Sequence, residues 1–398
     1  MENLAIILAD GFERAKGGDA IQVYNELLPF YKDGNLPLSK HYLFGWVIYY
    51  ALHQSPDHEI GARKRMLANY LKLSVPRPHK LHSMVLTEAI RLYKDSCDAA
   101  FTMKGRNSEQ FSIVKFTPLW DLANLRPGDW RRKEHEDKTL SSTVEKFLTA
   151  YIDELESTSM AATPEVTSLV DEALKMYPDT DTLLSQRAQL YVLAGDKESA
   201  RDMMRRALLN APRKFFLWNR MASLIAPEES IHLHIALLFK ALIMPGQDQF
   251  KGRVRLSLAK AWTIAKRPAE ALFELERVGQ LYETNSWHLP RAYEEVKCRI
   301  PEGTVAADPT PLYRKVEHLA DKEIYSALPQ IAVTKTYHKN PTASKGGFKP
   351  AVAWRVTDAA GNHYWLNPSR FSIDPNLPQG TSLLIRIHNS KPVHATLP

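Results

Sequence analysis

Residues Leu183 to Pro212 read "LLSQRAQLYVLAGDKESARDMMRRALLNAP". Leu183, Leu184, Ala188, Tyr191 and Val192 recur at helical spacing on one face, and Gly195 followed by Asp196 supplies a helix C-cap and turn. A second helix with Ala200, Met204 and Ala207 then runs on to Pro212. Small side chains let paired helices approach closely, and the large ones fill the space between adjacent pairs.

The unit repeats along the chain. Ala173, Ala207 and Ala241 are 34 residues apart, as are Pro178 and Pro212, and Ala188 and Ala222. That period belongs to helix–turn–helix arrays. The series Leu184, Ala188, Tyr191, Gly195, Ala200, Met204, Ala207, Pro212 resembles the tetratricopeptide repeat (TPR) superfamily. A second copy runs Trp218, Ala222, Ile225, Leu238, Ala241, with Pro245 one place early and His234 where a small residue is usual. A third, with Ala259, Trp262, Ala271, Leu275 and Val278, is out of phase, and the resemblance covers roughly residues 145–298. It implies an α-helical solenoid whose groove, lined by the first helix of each repeat, binds a protein partner. TPR co-chaperones clamp a peptide carboxylate with Lys, Asn and Arg at set places. The corresponding places here are Ser185, Gln189, Arg220, Arg253 and Ser257, a partial clamp.

Outward from the repeats, residues 1–140 read as degenerate TPR-like helical hairpins, with helices expected at Leu4–Lys16, Asp19–Tyr31, Ser39–His53, Ile60–Leu73, His79–Lys94 and Gln110–Asn124. The most apolar window, Tyr42 to Leu52, is about half the roughly 20 residues a membrane span needs, so it predicts a buried helix. Asn124 to Ser142 has turn residues and mixed charge and reads as a joint. The TPR repeats are expected over 141–300, followed by a linker and short helix over 301–329.

From Gln330 the grammar changes to alternation. "QIAVTKTYHK", "FKPAVAWRVTD", "HYWLNPSRF" and "TSLLIRIHN" read as strands separated by turns, and 330–398 as a small β-barrel. The order of hairpin, aromatic strand, Gly380 turn and closing strands resembles cold-shock and other OB-fold domains, although the cold-shock RNA-binding signature is absent. The whole layout resembles TPR-plus-OB accessory proteins of bacterial antiphage systems. The 398 residues carry a net charge of +7, and residues 311–398 hold eleven Lys/Arg against five Asp/Glu, which favours an acidic partner. Single-stranded nucleic acid needs cations along a groove and π-faces for bases. Lys335, Tyr337, Lys339, Lys345, Lys349, Trp354, Arg355, Tyr364, Arg370 and Arg386 supply both. Strand alternation sends Tyr364 and Trp365 to opposite faces, so part of this set must fill the barrel.

The chain has two cysteines, Cys97 and Cys298, with no C-x-x-C spacing, and its N-terminus has no secretory signature, so a reducing cytoplasm is the expected setting. Phosphate-loop, G-x-S-x-G and H-E-x-x-H motifs are absent. His79 and His82 lack an acid or Cys at helical spacing and read as surface histidines. Arg77 and His82 fit the loose R-x4-H pattern of HEPN ribonucleases, with Pro78 standing against it. The resulting expectation is a non-enzymatic adaptor with no cofactor, metal or catalytic residue, binding a protein through the solenoid and RNA or single-stranded DNA through the barrel. A pure protein scaffold and a HEPN-like ribonuclease are the rivals.

Overall fold

The computed structural model describes residues 2–102, 110–136, 138–339, 352–371 and 373–398. The chain is mainly helical and ends in a curled, five-stranded antiparallel sheet. It divides into two compact units, Met1–Pro178 with Gln189–Asp196 and Asp179–Ala188 with Lys197–Pro398. The division falls within helix α9 (Asp181–Leu193).

The first unit contains α1 (Glu2–Arg14), α2 (Ala20–Lys32), α3 (His41–Gln54), α4 (Ile60–Tyr70), α5 (Lys80–Thr102), α6 (Ile113–Trp120), α7 (Thr143–Thr158) and α8 (Pro164–Met176). The apolar window is α3, a buried helix with Phe44, Val47, Ile48 and Leu52 fully enclosed. Gly45 lets α5 come close, since a Cβ there would stand 2.9 Å from Leu81 Cδ2 and that side chain would have to shift. Helix α5 outruns the expected end at Lys94, and Asp95 in the extension accepts from the buried guanidinium of Arg63 at 2.6 Å. The joint before α7 also holds a short hairpin, β1 (Lys133–His135) and β2 (Lys138–Leu140), which the charged sequence concealed because no side chain in it is buried. Ser142 and Glu145 form a capping box at the start of α7, and Arg132 adds a second claim on the Glu145 carboxylate at 3.0 Å. Among the described residues no helix is long and apolar enough to cross a membrane.

The second unit continues with α10 (Lys197–Asn210), α11 (Phe215–Ser223), α12 (Pro227–Ile243), α13 (Gly252–Ile264), α14 (Pro268–Thr284), α15 (Arg291–Lys297) and α16 (Thr310–Tyr325). The 34-residue alanines do what their size allows. Ala207, Ala222 and Ala241 are fully buried where successive helices pack, and so are Ala259 and Ala271 of the out-of-phase third copy. The irregular second copy has a local cause: the His234 ring is hydrogen-bonded at 2.8 Å to the Ile225 carbonyl just beyond α11, a contact no small residue could make. The segment expected as a linker and short helix supplies α16, which is packed into the repeats. Tyr313 stacks on Phe239 with centroids 4.7 Å apart, accepts from Trp262 Nε1 at 3.0 Å and donates to Glu274 at 2.8 Å.

The sheet follows directly. Strands β3 (Gln330–Lys339), β4 (Ala353–Asp358), β5 (His363–Leu366), β6 (Ser382–His388) and β7 (Lys391–Thr396) pair in the order β5-β4-β3-β6-β7. It curls so that edge strands β5 and β7 approach each other, around a core of Val333, Trp354, Val356, Leu366, Leu383 and Ile385. Arg386 of β6 donates to the carbonyls of Ser326 and Leu328, fastening the sheet to the end of α16.

The turns of the repeats differ in a testable way. After α9 the N–H of Gly195 reaches Val192 O at 3.0 Å and that of Asp196 reaches Tyr191 O at 2.9 Å, a left-handed cap with Gly195 at φ 81°. After α13 the same pattern recurs with Lys266 in the left-handed place, φ 57°, and Arg267 N–H on Trp262 O at 2.9 Å. A Cβ in that conformation costs roughly 1–2 kcal/mol, and a Cβ at Gly195 would meet nothing within 4 Å, so backbone strain alone decides. Gly195→Ala is therefore expected to lower unfolding free energy by about 1 kcal/mol and Lys266→Gly to raise it by a similar amount, both read from urea denaturation midpoints.

Candidate nucleic-acid interface

A pleated strand alternates its side chains between two faces. In β4 the alternation turns Trp354 and Val356 into the core and leaves Arg355 on the other side. The register then sets Arg355 between two aromatics, opposite Tyr337 of β3 and Trp365 of β5. The result is a row across three strands. Tyr337 is 48% exposed and Trp365 56%, and the Arg355 guanidinium carbon lies 5.7 Å from the Tyr337 ring centroid. One step along, Thr357 hydrogen-bonds Thr336 at 3.1 Å and His363 at 2.9 Å, a second row of polar groups on the same strands. Flat rings beside a guanidinium can stack bases and neutralise phosphate together.

The sequence-level set divides on this geometry. Lys335 and Trp354 are buried, which removes them from any surface: the Lys335 ammonium sits 4.2 Å from the Trp354 ring centroid and donates to Leu377 O at 2.5 Å. A β-bulge between Lys335 and Tyr337 shifts the ladder here, so odd-numbered Lys335 and Tyr337 do not share a face. Burial pushes the Lys335 ammonium below its ordinary value, with Asp374 acting the other way. Tyr364 packs partly against the core and places its hydroxyl 3.2 Å from Asp358, so Trp365 rather than Tyr364 is the exposed ring of β5. Arg386 is engaged with backbone carbonyls as described. Arg370 is exposed, in a 3-10 turn after β5. Lys339 pairs with Ala353 in the ladder, and Lys345 and Lys349 lie outside the described residues.

Of the positions expected to form the clamp, Ser185 is buried and accepts from Arg220 at 2.7 Å, which joins two of them to each other. Arg253 is exposed on α13, and Gln189 is half-buried in the part of α9 that belongs to the first unit.

The candidate ribonuclease pair is also committed elsewhere. His82 is buried, not on the surface, with Nδ1 2.7 Å from the Tyr70 hydroxyl and Nε2 3.1 Å from the Pro76 carbonyl. Arg77 is turned toward Asp121 at 3.3 Å. Neighbouring His79 sits edge-on to Tyr42, with ring centroids 5.0 Å apart. Among the described residues there is no cluster of three or more metal-ligating side chains.

A family model described as Domain of unknown function (DUF7017) matches residues 184–320, about a third of the chain. The matched stretch begins in α9 and ends inside α16, so its similarity is to the helices and stops before the sheet. No curated protein matches the chain.

Burial lowers the affinity of the His82 ring for a proton, and the nearby Arg77 charge adds to this, while the Pro76 carbonyl opposes it. The neutral ring is thus the folded form, and its stabilisation is complete above the unfolded histidine value of about 6.5 and lost as pH falls below it. Unfolding free energy should decline between about pH 7 and pH 5, with a shallower slope in His82→Gln. Lys335 offers a second check. Lys335→Met should leave stability within about 1 kcal/mol, because the site is already walled by Trp354, whereas Lys335→Glu should cost about 3–5 kcal/mol by leaving a buried carboxylate without a cation. Thermal unfolding of both variants measures the difference.

Proposed function

We propose that the chain is a non-enzymatic adaptor, in which the helical repeats hold a protein partner and the C-terminal sheet contacts single-stranded nucleic acid, either RNA or DNA. The observation that carries the proposal is the Tyr337–Arg355–Trp365 row, in which a half-buried arginine lies between two exposed rings. TPR character for residues 145–298 is supported by the buried 34-residue alanines and the left-handed caps after α9 and α13. OB character is supported by strand order. The first strand of the sheet pairs on either side with the second and fourth, while the third and fifth are the edges that approach each other. Oligonucleotides bind OB-folds across the second and third strands, which here are β4 with Arg355 and β5 with Trp365. The engagement of both His82 ring nitrogens favours an adaptor over a ribonuclease. Cys97 and Cys298 are free thiols, in keeping with a cytoplasmic setting.

Fluorescence anisotropy with labelled single-stranded RNA and DNA tests the reading on the full chain. Binding should weaken steeply with salt, as for any contact made through phosphates. Tyr337→Ala and Trp365→Ala should each cost about 1–3 kcal/mol of affinity with unchanged circular dichroism. Absence of binding at low salt, or affinity untouched by Trp365→Ala, would overturn the sheet's role and leave a protein scaffold.

A further inference from the structure

Within the second unit a cleft of about 710 Å³ opens between the helices and the β6–β7 hairpin. One wall is the end of α10 with the loop after it, another is the α16 face carrying Glu317, Asp321 and Tyr325, and the third is β7 with the Arg370–Phe371 turn. Its volume lies in the range of small-molecule sites, roughly 300–1,000 Å³. Tyr337, Arg355 and Trp365 do not line it.

Charge in the cleft is unevenly used. Lys240 is held by Glu317 at 2.9 Å and Asp321 at 3.0 Å, and Lys214 by Asp181 at 2.7 Å. Arg213, Arg370 and Lys391 are exposed at the cleft and have no ion-pair partner among the described residues. They arrive from three separate segments, the loop after α10, the turn after β5 and the β6–β7 hairpin. The hairpin is held in place. Asn389 and Ser390 both take positive φ, 49° and 61°, as a tight two-residue turn requires. His388, which is Lys391's partner across the ladder, is hydrogen-bonded to Asn210 at 3.2 Å.

The remaining lining is apolar with a few polar groups set into it. Phe371, Met244 and Pro392 supply apolar surface, and the His394 ring lies over Tyr325 with centroids 4.9 Å apart and Nε2 3.6 Å from Asp321. The last turns of α10 and α12 also end here, and terminal helix carbonyls lack intrahelical donors. An acyl chain would strip water from these groups and return no hydrogen bond. A flat heterocycle with N–H donors and ring acceptors satisfies them, and a phosphate on the same molecule meets the three free cations.

We propose that this cleft binds a nucleoside phosphate, with the phosphate on Arg213, Arg370 and Lys391 and the base against Phe371 and the His394–Tyr325 pair. Two sources present this chemistry, a free nucleotide and the phosphorylated end of a nucleic-acid strand. The site is separate from the sheet face and does not rest on the adaptor reading.

Isothermal titration of the full chain with AMP, GMP, CMP, UMP and inorganic phosphate tests it, alongside short oligonucleotides with and without a 5′-phosphate. At least one mononucleotide should bind saturably and at least tenfold tighter than phosphate. Arg213→Ala with Lys391→Ala should weaken it at least tenfold without changing the melting temperature, and Trp365→Ala should leave it unchanged. A 5′-phosphorylated oligonucleotide that binds tighter than mononucleotides, with the 5′-hydroxyl form losing that advantage, identifies the strand end as source; mononucleotide binding that oligonucleotides do not displace identifies the free nucleotide. No nucleotide binding at millimolar concentration and low salt, affinity equalled by inorganic phosphate, or affinity unaffected by the double substitution each overturns the proposal.

Discussion

The neutralisation of Lys240 is the interaction on which the second unit depends. Its ammonium, near the end of α12, is mostly withdrawn from water and meets two carboxylates of α16, Glu317 and Asp321. Removing one member of such a cluster leaves a charge in a poorly solvated place, so α16 has one favourable seat on α12. From that seat the rest follows. Tyr313 fills the space between Phe239 and Trp262, Asp321 faces His394 of β7, and the carbonyls at the end of α16 receive Arg386 of β6. Polar contacts thereby help to orient the sheet on α16, and a cleft lies beside them.

The sheet makes one set of residue types serve two purposes. A lysine and a tryptophan that look like surface ligands, Lys335 and Trp354, pack as a cation over a ring inside the curl. An arginine between two aromatics, Arg355, repeats that pairing on the outside, where the faces of Tyr337 and Trp365 are open. The chemistry is the same, and only the pleat and the bulge at Lys335 decide which copy is accessible.

Much of the architecture was legible from residue spacing. The helices before and after residue 140 and the strands were recoverable because small residues at Ala188, Ala207 and Ala222 and the alternation after Gln330 report local periodicity directly. Residues whose roles depend on distant partners were not. Nothing local marks Tyr313 as the residue that joins Trp262 to Glu274, or turns 301–329 from a connector into a packed helix. The sheet face was half visible: alternation required Tyr364 and Trp365 to part, but which one faced outward depended on pairing with β4. The cleft was not visible, since Arg213, Arg370 and Lys391 are far apart in sequence and come to line one cleft only in the folded unit.

The Tyr337–Arg355–Trp365 row spans two strand spacings, about 9–10 Å. On the proposed function, so short a platform would hold only a few nucleotides, and a few stacked bases would give an encounter that forms and breaks quickly. On the proposed reading, residence would then be set by tethering: where the protein held by the helices is itself bound to the same strand, each contact would keep the other at high local concentration and lengthen its life. Such an adaptor would respond to a protein and a strand already joined rather than to the abundance of either.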